Sequence, residues 1–206
     1  MPDQSLYKEN REIRLGNIEI LPGSSSRINY NVGSLPSGNR VSIHMEAFRS
    51  ENTGPPIMVI AGVHGDEING VEIVRRLLEK ETLHNLKAGS VIAIPLLNVF
   101  GFINFSREVS DGKDVNRSFP GSVNGSMASR VARLVTRHIL PLITIGIDFH
   151  TGGQSRFNYP QVRYTNRQPS SRLFAEVFNA PFSILKPTIL RSLRRMALDM
   201  GIPIIV

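Results

Sequence analysis

The sequence predicts an α/β fold built on a mixed, mainly parallel sheet. Three observations carry that reading. Short, continuous apolar runs recur at residues 57–61, 91–97, 143–149 and 202–206, the pattern of strands buried on both faces. Stretches with helical spacing separate them. Strands alternating with helices form parallel sheets, whose ligand sites lie beyond the carboxyl ends of the strands.

Taken in order, residues 1–50 read as a β-rich lead-in. The start, MPDQSLYKENREIRLG, has no apolar core of the kind a secretory signal needs. Residues Arg40 to Met45 alternate in the strand manner, while Pro22-Gly23 and Pro36-Ser37-Gly38-Asn39 read as turns. A loop over 52–56 leads to the first buried strand, Ile57 to Ala61, which runs into Gly62-Val63-His64-Gly65-Asp66-Glu67. Ile68, Val71, Val74 and Leu78 then share one helical face. Lys87-Ala88-Gly89 turns the chain into a second buried strand, Val91 to Leu97. Residues 98–125 form a long stretch rich in Gly, Asn, Ser and Asp; such loops inside a domain are usually functional or disordered. Ser126 caps a helix carrying Val131, Leu134, Val135 and Ile139, which Pro141 ends. The third buried strand, Ile143 to Phe149, stops at His150. A helix near 171–178 and another over about 189–200 follow, the latter presenting Arg191, Arg194 and Arg195 on one face. Residues 202–206 read as a last strand.

Length and composition narrow the function. The 206 residues suit one large domain, and with 41% hydrophobic residues a sizeable core can form. No window approaches the ~20 apolar residues of a membrane helix, so no membrane partner is expected. There are no cysteines, which removes disulfides, thiolate metal sites and a Cys nucleophile, and fits a reducing cytosol. Net charge is +7, and residues 151–206 hold eight Lys/Arg against two acids, six of that surplus. Nucleic-acid binding would fit such a tail, as would an anionic substrate. The Arg191, Arg194 and Arg195 face reads more simply as solvated or as part of an anionic-substrate funnel, so no nucleic acid is expected.

The chemistry concentrates at strand ends. His64 and Glu67 form His-x-x-Glu after the first buried strand, and His150 follows the third. Two imidazoles and one carboxylate are the three-ligand set of a catalytic zinc, with water in the fourth position. Both histidines are flanked by glycines that permit close backbone approach. Asp148, two residues before His150, can hold the outer nitrogen of a ligand histidine. His44, His84 and His138 have no such neighbours and read as ordinary histidines. In the long loop, Arg107 and Asn116-Arg117 suit carboxylate binding or oxyanion stabilisation.

Residues 61–72 (AGVHGDEINGVE), 114–121 (DVNRSFPG) and 147–153 (IDFHTGG) together resemble the succinylglutamate desuccinylase/aspartoacylase family, and the resemblance runs from about Ile18 to Val206. It implies a three-layer sandwich of the zinc-carboxypeptidase type and hydrolysis of an N-acyl amino acid to a carboxylate and a free amine. It implies that His64, Glu67 and His150 bind one zinc ion, that Arg107 polarises the scissile carbonyl, and that Asn116 and Arg117 hold the substrate carboxylate. The interval from Arg107 to Asn116 is slightly longer than in the aspartoacylases. The expected partner is a small anionic N-acyl substrate, and a homo-oligomer is allowed. The chain then divides into a lead-in over 1–50 and a zinc hydrolase catalytic domain over 51–206.

One departure is plain. The family's general-base glutamate lies just after a strand resembling Gly201 to Val206, beyond the last residue here. Glu72 and Glu79 fall on the first helix, Glu176 and Asp199 on later ones, and none replaces it. The family's C-terminal β-domain is absent as well. The expectation is therefore a truncated hydrolase that binds zinc but turns over poorly, since such a base contributes ~10²–10⁴-fold. A zinc carboxypeptidase and a catalytically impaired metal-binding fragment are the competing readings.

Overall fold

Apolar residues that alternate in direction along a strand can feed two cores at once, and that is how this sheet is built. The computed structural model describes residues 12–206 apart from Pro36 and Ser155, so the leader reading of the start and part of the expected 36–39 turn lie outside the described residues. The strands are β1 (Ile13–Leu15), β2 (Ile18–Ile20), β3 (Ser24–Ser34), β4 (Arg40–Arg49), β5 (Pro56–Ala61), β6 (Ser90–Ile94), β7 (Ile145–Phe149), β8 (Val162–Tyr164), β9 (Ser183–Leu185) and β10 (Ile204–Ile205). The helices are α1 (Ile68–Glu79), α2 (Val99–Ile103), α3 (Met127–Leu134), α4 (Pro169–Phe178) and α5 (Leu193–Asp199).

Six strands form the central sheet in the order β10-β7-β5-β6-β4-β3. β10, β7, β5 and β6 run parallel, and β4 and β3 add on antiparallel. The β-rich lead-in is thus joined edge to edge to the rest through the β4–β6 pair. Met58, Ile60, Ile92 and Ile94 face one core, shared with Val131, Leu134 and Ile139. Val59, Ala61, Val91 and Ala93 face the other, where Val74 of α1 and Leu83 pack. The result is three layers, helix on sheet on helix. Each fully buried Met or Ile contributes roughly 1.5–3 kcal/mol relative to an exposed one. Among the described residues, no helix is long and apolar enough to cross a membrane.

Four elements differ from the sequence reading. Ile68, the first residue of α1, is exposed; the buried line is Gly70 and Val74, with Val71 and Leu78 half-buried. The helix begun at Ser126, whose hydroxyl accepts from Ser129 N at 3.3 Å, does not run unbroken to Pro141. After α3 it loosens into a π turn at Val135–Ile139 and closes as a 3-10 turn at Leu140–Leu142. Pro141 has no N–H to continue the ladder, and the Thr136 hydroxyl donates back to Ala132 O at 3.0 Å, a bond that bends helices. The last helix is shorter than expected. Ser192 caps it, accepting from Arg195 N at 3.2 Å, so Arg191 at φ +60° precedes it. Finally, residues 98–125 are not all irregular: Asn98 caps α2, and a 3-10 turn spans Val115–Arg117.

Candidate metal centre

Neighbouring parallel strands deliver their carboxyl ends to one edge. β5 and β7 pair with Ile60 opposite Asp148 and Ala61 opposite Phe149, so the residues just past them start side by side. The chain leaves β5 through Gly62 at φ +61°, where an added Cβ would meet Leu96 at 2.6 Å. At Gly65 a Cβ would stand 1.9 Å from the backbone of Gly101, so α2 passes against bare backbone. That path places His64 and Glu67, at the start of α1, opposite His150.

The three side chains converge. His64 Nδ1 lies 2.8 Å from Glu67 Oε1, and His150 Nδ1 lies 2.9 Å from Glu67 Oε2. One donor atom from each of the three falls within 4.8 Å of the others. His64 and Glu67 are only 3% and 5% exposed. The outer ring nitrogens face carboxylates. His150 Nε2 is 2.8 Å from Asp148 Oδ2, the geometry the sequence placed there. His64 Nε2 is 3.4 Å from Asp114 Oδ1, an ion-pair distance short of a hydrogen bond. The Asp148 carboxylate fixes the His150 ring with Nδ1 inward, the second layer usual around ligand histidines, while His64 Nε2 is buried without a hydrogen bond and has Asp114 at ion-pair distance.

Asp114 is a hub that the sequence reading left without a role. Its Oδ2 accepts from Arg107 Nε at 3.0 Å and Nη2 at 2.9 Å, and its Oδ1 accepts from Asn116 N at 2.6 Å. The forked grip turns Arg107 Nη1 toward the converging ligands, 3.2 Å from His64 Nδ1 and 3.9 Å from Glu67 Oε1. Asn116 Oδ1 accepts from Leu193 N at 2.9 Å, tying this turn to α5 and leaving its amide end as a donor. Arg117 is exposed and reaches the same cleft. That cleft, of about 300 Å³, is lined by His64, Glu67, Arg107, Asn116, Arg117 and His150 among others. All six residues proposed from the sequence are therefore brought together. His44, His84 and His138 stay outside: His84 packs edge-on against Phe48, His138 bonds the Tyr30 hydroxyl at 2.8 Å, and His44 lies beside Asn29 and Glu46.

The electrostatics suit a divalent cation. Among the groups in direct contact around the two imidazoles, Glu67, Asp114 and Asp148 outnumber Arg107 by two negative charges. Without a metal, protonated imidazoles supply the difference. Burial acts to lower the pKa of His150, but Asp148 and Glu67 outweigh it and push it up to about 10. Burial likewise opposes protonation of His64, and Asp114 and Glu67 still raise it. Burial acts to raise the Asp114 carboxyl, yet His64 and Arg107 bring it down to about 2. Glu67 falls well below the usual carboxylate range, because His150 and His64 overcome its desolvation. Two imidazoles and one carboxylate, inward-facing and backed by carboxylates, fit zinc by donor type and number. The acids that sequence reading excluded as substitutes are engaged elsewhere: Glu72 and Glu79 pair with Arg75, Glu176 with Arg172 and Asp199 with Arg195.

A pattern of this kind invites comparison with known proteins. The family model described as the succinylglutamate desuccinylase/aspartoacylase catalytic domain matches residues 53–196. The chain belongs to the succinylglutamate desuccinylase/aspartoacylase family. Within the family's relatives, an N-alpha-acetyl-L-2,4-diaminobutyric acid deacetylase of Halomonas elongata is 30% identical over 139 residues, covering 64% of this chain and 40% of that one. A succinylglutamate desuccinylase/aspartoacylase crystal structure from Rhodobacter sphaeroides is 26% identical with a TM-score of 0.74, covering 87% of this chain and 56% of the other. The product-bound ectoine utilization protein EutE (DoeB) from Ruegeria pomeroyi superposes with a TM-score of 0.82 at 22% identity, over 96% of this chain and 62% of the other. A carboxypeptidase A from Helicoverpa armigera, at 13% identity and a TM-score of 0.60, shares the fold. The chain thus spans about half the length of these family relatives.

The protonated imidazoles make metal uptake pH-dependent with a definite sign. A metal needs both Nδ1 atoms free of protons, so binding must expel them. Both pKa values are raised above 6.5, His150 to about 10. Zinc binding near pH 6.5 is therefore expected to release more than one proton per ion, and affinity to rise with pH until about 10. In the metal-free protein the same shifts favour folding fully below pH 6.5, and that contribution fades as pH climbs toward about 10. Calorimetry in buffers of differing ionisation enthalpy counts the protons; a count of zero contradicts this reading.

Proposed function

We propose that the protein is a zinc-dependent deacylase that hydrolyses the amide bond of a small anionic N-acyl amino acid. The observation that carries the reading is the convergence of His64, Glu67 and His150 in one cleft with Arg107, Asn116 and Arg117. Family membership and the deacetylase relative support it. His64, Glu67 and His150 would hold one zinc ion. Bound there, zinc would lower the pKa of water toward ~7 and polarise a carbonyl.

The chain's own residues do the remaining work. Asp148 and Asp114 hold the two imidazoles in the tautomer that leaves Nδ1 inward. Asp114 also fixes Arg107, whose Nη1 can donate to a carbonyl oxygen as charge builds on it. The Asn116 amide and the Arg117 guanidinium bind the substrate carboxylate, which sets the scissile amide against the metal centre. β10 brings Val206 to the cleft wall. The family resemblance puts the general base just after such a strand, and the acids described beside the cleft are already held by His64, His150 and Arg107. The reaction belongs in the cytosol on this reading.

The test is a zinc assay joined to a substrate screen. The zinc-loaded protein should cleave N-acetyl or N-succinyl amino acids in preference to short peptides. Arg117→Gln should raise KM for them by about 10–100-fold, the loss of one charge-assisted pair. It should leave the carboxamide analogue of the substrate nearly unaffected. Faster cleavage of peptides would favour the carboxypeptidase reading instead.

A further inference from the structure

The three converging side chains are carried by two separate pieces of chain. His64 and Glu67 travel together on the turn between β5 and α1, where Glu67 N donates to His64 O at 3.3 Å. His150 follows β7. The pairing of β5 with β7 ends at Ala61 and Phe149, so past that point something else must set the spacing of the two pieces. Glu67 reaches across: its Oε2 accepts from Thr151 N at 2.8 Å and lies 2.9 Å from His150 Nδ1. A glutamate arm turns about several bonds, so it can follow a shift of its backbone as easily as resist one.

The rigid contact is at Gly70. This residue is buried in the first turn of α1, three positions past Glu67. A Cβ there would stand 2.8 Å from Phe149 O, 3.1 Å from Phe149 Cβ and 3.2 Å from Phe149 C, against the peptide that leads into His150. Carbons pack at ~3.5–4.0 Å, so the gap has room for a hydrogen and no more. Glycine inside a helix is unfavourable relative to alanine. Gly70 is not among the glycines at positive φ, so its backbone makes no demand that alanine could not meet. Close approach is the remaining reason for it, and the backbone approached is the one that carries His150.

We propose that Gly70 is a positioning residue: its bare Cα lets α1 rest on the end of β7, and that contact fixes how far the His64–Glu67 pair stands from His150, hence which size of cation the three side chains favour. This rests on reading them as a metal site and adds ion selectivity to that reading. Gly70→Ala obliges α1 to retreat from Phe149 by about half an ångström, from 2.8 Å toward ordinary contact, and to carry His64 and Glu67 with it. Selectivity between ions follows cavity size and ligand rigidity, so a widened set should lose more affinity for zinc than for the larger cadmium ion.

Calorimetric titration of the metal-free protein with zinc and with cadmium tests this, with no turnover required. Gly70→Ala should lower zinc affinity by about tenfold, the lower end of the loss seen when a ligand's support is disturbed. Cadmium affinity should fall less, so that the zinc-to-cadmium ratio drops at least about threefold. Gly146→Ala is the control. It lies on the same strand, and its Cβ would stand 2.9 Å from Ile204 Cγ1, a side-chain atom of β10. It should lower the unfolding temperature and leave the ratio unchanged, as a merely structural role would. Should metal-free Gly70→Ala not fold, the zinc and cadmium concentrations that drive its folding report the same ratio. A variant that neither ion folds, a ratio equal to that of wild type, or a ratio moved as far by Gly146→Ala overturns the proposal. A wild-type protein that takes up neither ion rejects the metal site and the spacing role with it. Zinc binding by wild type with a ratio unmoved in Gly70→Ala rejects the spacing role alone.

Discussion

Replacing His150 with alanine is expected to strip the protein of stoichiometric zinc, and His64→Ala to do the same. Each ring supplies one inward Nδ1, and Glu67 is the sole remaining donor of the three. Losing an outer partner of a ligand typically costs 10–100-fold in affinity, and losing a ligand should cost more. The variants also remove a counter-charge from a carboxylate that is 5% exposed. Breaking a buried pair in this way costs about 3–5 kcal/mol, so thermal unfolding must be followed alongside metal content. His138→Ala serves as the control, because that ring bonds Tyr30 outside the cleft. Full zinc content in both ligand variants would reject the assignment.

The second large effect is expected at Asp114, which touches no metal on this account. Asp114→Ala releases Arg107 from two hydrogen bonds, takes the counter-charge from His64 Nε2 and removes the acceptor for Asn116 N. Zinc affinity should fall by about 10–100-fold. Turnover should fall further, since a freed Arg107 no longer presents Nη1 at a fixed place. Asp114→Asn, which keeps a side-chain oxygen for Asn116 N, should lie between wild type and Asp114→Ala. An unchanged zinc affinity in Asp114→Ala would show that the carboxylate does not hold His64 in its working orientation.

Much of the site could be read along the chain because the sheet does the gathering. His64 and His150 follow strands that the apolar runs marked clearly, and adjacent parallel strands end side by side. Asp148 was legible for the same reason, two residues back on the same strand face. Asp114 was not, because its role depends on a loop folding back over seven residues to reach Arg107 and over fifty to reach His64. Arg163, in the short β8–β9 pair, and Lys186, just after it, also line the cleft, and no periodicity announces that pair. Helical spacing alone groups Arg194 with Arg191 and Arg195 on one face. The Ser192 cap starts α5 late and leaves Arg191 outside it, while Arg195 turns to Asp199 and Arg194 to the cleft. Periodicity gives spacing within a helix but not where capping begins it. Ile68 failed for a related reason: a first-turn residue on the apolar stripe can still lie beyond the edge of the sheet that the helix covers.

The deacylase reading requires one zinc ion between His64, Glu67 and His150. Zinc-edge anomalous diffraction from crystals of the loaded protein would locate that ion. A single peak is expected at ~2.0–2.2 Å from both Nδ1 atoms and a Glu67 oxygen, with Asp148 and Asp114 still on the outer nitrogens. A peak lying elsewhere, or none within bonding distance of all three side chains, would show that these residues do not form the zinc site.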